Sequence, residues 1–317
     1  MPTTFGMCFP RELPGAVVPE FARRLDAGGV DELWLIEDCF FTTAPPLAAA
    51  ALATTERLTV GLGILPAVAR TAAVTAMEIA TLASIGPGRV VGGIGHGIQS
   101  WMAQMGVATA SPLTTLDEVI SSVRRLLHGE TVTFRGREVT LDGVRLEHVP
   151  DPVPAVLAGV SGPKSLALAG RVADGVLLAG PSTVPHVRAA RRAVEAESPS
   201  AFQIVTFTHV AVAQDREDAY AEFAPFVAES LDSPGFRDLP FLDELRRRHD
   251  RDGVDGVAGM PRDWWLQIGA IGTLDDAMEH VALLEAEGVT GVAFFPTPEL
   301  DVARRQVDDV VAIAASR

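Results

Sequence analysis

Lysine is nearly missing from this 317-residue chain: Lys164 is the single one among 26 lysines and arginines. Cysteine is as scarce. Cys8 and Cys39 are too few for a disulfide framework and fit a reducing cytoplasm. Neither zinc-type Cys/His spacing nor a cluster of ligands occurs, so no metal is expected. Basic charge is short overall. A formal net charge of −15 excludes nucleic acid or an anionic membrane surface as the main partner. It leaves room for an anionic cofactor held by a local cluster of donors. Long hydrophobic runs are also absent, residues 47–53 being too short to span a bilayer, and the N-terminus has no basic segment followed by an apolar one. The expectation is a soluble cytoplasmic protein.

What is present is enough for a full core: 48% of residues are hydrophobic and 21% charged. Short apolar runs alternate with helical patterns. Strands are expected at 5–9, 32–36, 58–65, 89–94, 153–157, 175–178, 204–212 and 291–295, most followed by a helix. Runs apolar throughout mark a parallel sheet buried on both faces. With eight of them in a chain beyond about 250 residues, a single-domain α/β fold over 1–317 is expected, a (β/α)8 TIM barrel first and a doubly wound sheet second. Residues 131–141 alternate with period two around Gly136, which predicts an inserted β-hairpin. Residues 231–272 break the rhythm with Pro234, Gly235, a charged run and the pair Trp264 and Trp265. An excursion, part helix and part loop, is expected there after the seventh strand, on the rim that carries the active site.

In such a barrel the chemistry sits at the C-terminal ends of strands. Charged groups there are few: Glu37, Asp38, His96 and Lys164. Glu37 and Asp38 are either catalytic or cap the next helix, and His96 is either a turn residue or a proton shuttle. Trp101 and Met102 either pack locally or line the pocket. Glycines recur at the strand ends, letting backbone approach a flat ligand. The turn Ala158-Gly159-Val160-Ser161-Gly162-Pro163-Lys164-Ser165 joins a strand to a helix start, where free N–H groups suit a phosphate. The run Gly92-Gly93-Ile94-Gly95-His96-Gly97 lacks the spacing of a dinucleotide fingerprint, and no Gly-x-Ser-x-Gly elbow occurs. A broad pocket with few polar handles suits a large planar cofactor.

With these residues laid out, the chain resembles the luciferase-like monooxygenase superfamily. The likeness rests on Gly29 through Asp38, Val60 through Pro66, Gly88 through Gly97 with Trp101 to Gly106, and Gly162 through Leu178. The third and fourth stretches look most like the branch that uses coenzyme F420, a deazaflavin, and includes methylenetetrahydromethanopterin reductases. The resemblance implies a non-prolyl cis peptide at Gly63-Ile64, with Leu65 after it, supporting the deazaflavin ring. It also implies Asp38 near the ring, Gly95, His96 and Gly97 bordering the cofactor, residues 158–165 around its phosphate-bearing tail, and Ala179 and Gly180 among the cofactor-binding residues. Relatives often have histidine after the acidic position; here the pair is Glu37-Asp38, and either carboxylate is open as the one facing the ring.

The resulting expectation is an oxidoreductase moving a hydride between deazaflavin C5 and a small organic substrate, with Asp38 or Glu37 and His96 managing the proton. The alternatives are a two-component FMN-dependent monooxygenase served by a separate reductase, and a barrel that binds a flavin without turnover. The resemblance also implies a homodimer.

Overall fold

The chain folds as a (β/α)8 barrel in the computed structural model, which describes residues 2–195 and 201–317. The order begins β1 (Thr4–Phe9), α1 (Val18–Ala27), β2 (Glu32–Leu35), α2 (Ala44–Ala53), β3 (Thr59–Pro66), α3 (Ala72–Ile85) and β4 (Val90–Gly95). After β4 come α4 (Gln99–Gln104), α5 (Pro112–Leu127) and the hairpin β5 (Val132–Arg135) and β6 (Thr140–Val144). The barrel resumes with β7 (Ala155–Gly159), α6 (Pro163–Val172), β8 (Gly175–Leu178), α7 (Val184–Glu195) and β9 (Gln203–Val212). The last part comprises α8 (Arg216–Glu229), α9 (Leu242–Ala258), α10 (Arg262–Ile268), β10 (Gly269–Gly272), α11 (Leu274–Ala286), β11 (Gly291–Phe295) and α12 (Leu300–Ala315).

Eight parallel strands close in the order β1-β2-β3-β4-β7-β8-β9-β11, with Leu178 opposite Thr206 and Thr4 opposite Gly291. Strands buried on both faces explain their unbroken apolar runs. Outward residues such as Leu33, Val60 and Val292 join the helices in one core. Inward residues form a second cluster inside the barrel, with Trp34 edge-on to Phe207 at 5.8 Å. Trp34 also donates to buried Glu32 at 2.7 Å, so the bottom of the barrel is plugged and the C-terminal mouth stays open. The expected hairpin is a separate antiparallel pair.

The excursion differs from expectation in two ways. It contains a strand as well as helix and loop: β10 pairs with the far half of β9, Gly269 opposite His209. It also has its own hydrophobic cluster, which draws in α8: Tyr220, Phe223 and Val227 pack with Phe236, Leu245 and Trp265. Stacking fixes the two tryptophans, Trp265 on Tyr220 at 4.6 Å and Trp264 on Phe241 at 4.3 Å. Short apolar β10, read on its own, has no signal that separates it from the helix before it.

Candidate active site

The mouth of the barrel holds a cavity of about 610 Å³, within the range of about 300–1,000 Å³ usual for cofactor sites. Its floor comes from β3. The Gly63–Ile64 peptide is cis, and the β3–β4 register shifts between Leu62 and Leu65. Leu65 turns into the outer core and Gly63 faces the barrel interior, while Ile64 lines the cavity. Three glycines make the seat for Ile64. A Cβ on Gly159 would stand 2.2 Å from Ile64 Cγ2, and one on Gly95 or Gly93 would stand 3.0 or 3.3 Å from Ile64 atoms. The glycines of β4 and β7 therefore also make room for a neighbouring side chain, a contact that strand-by-strand reading does not reveal.

The acidic pair separates. Glu37 is buried and takes both guanidinium nitrogens of Arg70, at 2.5 and 2.7 Å, plus the Ala44 N–H at 3.2 Å. Asp38 is more open and accepts from Arg11 at 2.5 Å. Arg11 lies over Phe41 and Trp101, at 4.8 and 5.8 Å from their ring centres. Both carboxylates line the cavity, as do Trp101 and Met102. Neither Arg11 nor Arg70 was singled out from the sequence, since each finds its partner only through the fold.

Opposite lies the β7–α6 turn. Gly159, Val160, Ser161, Gly162 and Ser165 line the cavity; Ala158 is packed in the outer core, and Pro163 and Lys164 are exposed. Gly162 is the N-cap of α6 with Pro163 next, which leaves the N–H groups of Gly162, Lys164 and Ser165 outside the helix ladder. His96 bridges to this turn, its Nε2 2.9 Å from Ser165 Oγ. Burial pushes its pKa below the ordinary value, against a smaller opposing pull from the Pro112 carbonyl. Its Nδ1 is sealed from solvent without a hydrogen bond. Gly95 ends β4 beneath it, and Gly97 lines the cavity at φ 68°.

The remaining wall was legible only in part, through Ala179, Gly180 and the expected excursion. Ala179 and Gly180 lead into Ser182, His186 and His209, faced by Phe226, Ser230 and the 3-10 turn Pro234–Phe236 of the excursion. His186 Nδ1 is 2.8 Å from Asp238. His209 sits among Phe223, Phe226 and Phe295, and burial, with His280 adding to it, lowers its pKa to about 3. No local pattern joins positions 186 and 209, so neither histidine stands out in the sequence. Among the described residues, no group of three or more metal-ligating side chains comes together, and no helix is long and apolar enough to cross a membrane.

A closed parallel barrel with such a mouth defines a class, and the comparisons with known proteins agree. The luciferase-like monooxygenase family model matches residues 5–291, so the chain belongs to that family and is an oxidoreductase. Similar to it is a 5,10-methylenetetrahydromethanopterin reductase of Methanolobus tindarius, 27% identical over 296 residues, covering 91% of this chain and 86% of that protein. An F420-dependent glucose-6-phosphate dehydrogenase of Nakamurella multipartita is 36% identical over 137 residues, 42% of this chain and 40% of that protein. The coenzyme F420-dependent tetrahydromethanopterin reductase of Methanopyrus kandleri shares the fold, with a TM-score of 0.80, 19% identity and coverage of 99% and 98%.

Proposed function

We propose that this chain is a coenzyme F420-dependent oxidoreductase acting on a small organic substrate. One observation carries the reading: a mostly apolar cavity whose floor is the Ile64 bulge and whose wall is the amide-rich start of α6. The residues present fit the cofactor. A Cβ on Gly162 or Gly180 would meet nothing within 4 Å, so both leave open space along that wall. The N–H groups at the start of α6 suit a phosphate without a lysine or arginine in the lining. Relatives named for F420 support a deazaflavin over FMN.

When bound, a deazaflavin supplies hydride chemistry at C5. The chain supplies position and a dry wall. Ile64, on its seat of glycines, and Leu178 give an apolar surface. Asp38, held by Arg11, is the more open of the two lining carboxylates, and Glu37 is taken by Arg70 and the start of α2. His96 orients Ser165 beside the phosphate turn. The excursion roofs the substrate side, and a cytoplasmic homodimer completes the proposal.

The test is a side-by-side titration of the purified protein with coenzyme F420 and FMN. Micromolar binding of the deazaflavin with weak FMN binding is expected. Micromolar FMN binding with none for the deazaflavin would sink the reading in favour of a flavin monooxygenase that needs a separate reductase. Bound deazaflavin that no donor or acceptor ever changes would make the barrel a carrier.

A further inference from the structure

We propose that His186, held by Asp238, exchanges the substrate's proton, and that the substrate is an uncharged alcohol or its carbonyl partner. The inference rests on the reading above, that a hydride carrier occupies the same cavity.

The other carboxylates and imidazoles of the lining are already engaged or disabled. Glu37 is bound by Arg70 and Asp38 by Arg11. His96 gives one nitrogen to Ser165 and has the other sealed. His209 has aromatic neighbours and no carboxylate, so it stays neutral. Burial, with Glu37 and Asp38 nearby, pushes the Cys39 thiol up and keeps it protonated.

His186 is different. Asp238 accepts at 2.8 Å, which places the neutral ring's proton on Nδ1 and leaves a lone pair on Nε2. Among the described residues Nε2 has no hydrogen-bond partner, and His186 lines the cavity. The pairing is held by the docked excursion. Thr183 donates to the Gly235 carbonyl at 2.7 Å, and a Cβ on Gly235 would stand 2.2 Å from the Pro181 carbonyl.

Substrate charge follows from the same wall. Among the described residues no lysine or arginine lines the cavity. Arg237 and Arg246 belong to a separate shallow depression. A phosphate or carboxylate beside His186 would meet no lysine or arginine in the lining and would be desolvated without a counter-charge, whereas Phe226 and Phe236 offer apolar contact. In the oxidising direction the substrate C–H bond breaks and its electron pair leaves as hydride to the oxidised deazaflavin. The O–H bond breaks with its proton going to His186 Nε2, and the C=O bond forms; the reverse restores the alcohol.

The experiment uses wild type, His186→Gln, His186→Ala and Asp238→Asn. Each is titrated with coenzyme F420, then assayed with 2-butanol, cyclohexanol and glucose 6-phosphate by deazaflavin absorbance. Deazaflavin affinity should stay within about threefold across the set, while kcat/KM for the alcohols falls by about a hundredfold or more in His186→Gln and less in Asp238→Asn. Added imidazole should partly restore His186→Ala. Turnover confined to the phosphorylated sugar, or no turnover of either alcohol with deazaflavin bound, overturns the substrate class. A wild-type rate in His186→Gln, or no imidazole rescue, overturns the role of His186. Nitrogen NMR of the cofactor-free protein gives an independent reading: an Nδ1–H tautomer at His186 that is lost in Asp238→Asn is expected, and an Nε2–H tautomer overturns the pairing. Failure of deazaflavin to bind wild type sinks the cofactor assignment instead, and the NMR result still decides the pair.

Discussion

Arg70 grips Glu37 through both carboxylate oxygens, at 2.5 and 2.7 Å, and leaves the adjacent Asp38 to Arg11. Both members of the Arg70–Glu37 pair are mostly buried, with side chains 14% and 6% exposed. Removing one partner strands a buried charge. Arg70→Met should therefore lower unfolding stability by about 3–5 kcal/mol in a urea titration at neutral pH. Arg70→Lys should recover part of that, because a lysine cannot reproduce the two-pronged contact. A loss below about 1 kcal/mol in Arg70→Met would place the pair among ordinary surface ion pairs.

Gly159→Ala tests the seat of Ile64. The new methyl would stand 2.2 Å from Ile64 Cγ2, so the isoleucine must move. Overpacking of this kind costs about 1–3 kcal/mol, and the displaced side chain alters the cavity floor. Deazaflavin affinity should fall by about tenfold, close to 1.4 kcal/mol. Binding equal to wild type would show that the floor tolerates a shifted Ile64.

Lys164 drew notice as the lone lysine, yet it is exposed in the first turn of α6 and outside the cavity lining. Lys164→Ala should weaken deazaflavin binding by less than about fivefold, as expected for a solvated contact. A hundredfold loss would make it a principal anchor of the cofactor's tail.

Acid should destabilise the fold before most carboxylates protonate. Burial holds His209 at about 3 and His280 at about 4, against about 6.5 in the unfolded chain. Between those values the unfolded chain binds the extra protons, so stability falls as pH falls. Asp309 opposes: burial raises it to about 6, so the native state takes its proton first. Two histidines against one half-buried carboxylate leave a net loss of about 1.4 kcal/mol per pH unit between about pH 6 and 4.5. Urea midpoints across that range measure it, and His209→Phe should reduce the slope. Flat stability would show that the two histidines are hydrated in the fold.

Val74, Met77 and Ile85 are exposed along one side of α3, and spacings of three and eight put them on a shared face. That face supports the expectation of a homodimer. Sedimentation should give twice the chain mass for wild type and a monomer for Met77→Glu. A wild-type monomer at micromolar concentration would remove the expectation.

The barrel was readable because its signals are local: apolar runs of strand length, each followed by a helical pattern. The β7–α6 turn was readable for the same reason, with Gly162, Pro163 and Ser165 contiguous. What escaped was every relation that closure creates. Arg70 and Glu37 are 33 residues apart, Arg11 and Asp38 are 27 apart, and His186 and Asp238 are 52 apart. Composition located the acidic pair but not the counter-ions that distinguish its members. Strand-end glycines were visible as well, while the seat that Gly95 and Gly159 make for Ile64 depends on the β3–β4 and β4–β7 registers.

The long strand β9 lends one edge first to β8, at Thr206, and then to β10, at His209, while β11 keeps the other edge. The segment between therefore leaves and rejoins the barrel at a single seam. Its length and content can change without disturbing ring closure, the Ile64 floor or the α6 turn. Such an arrangement makes the roof of the mouth an exchangeable cassette. Selectivity can then drift from one descendant to another while the floor and the phosphate turn are passed on unaltered.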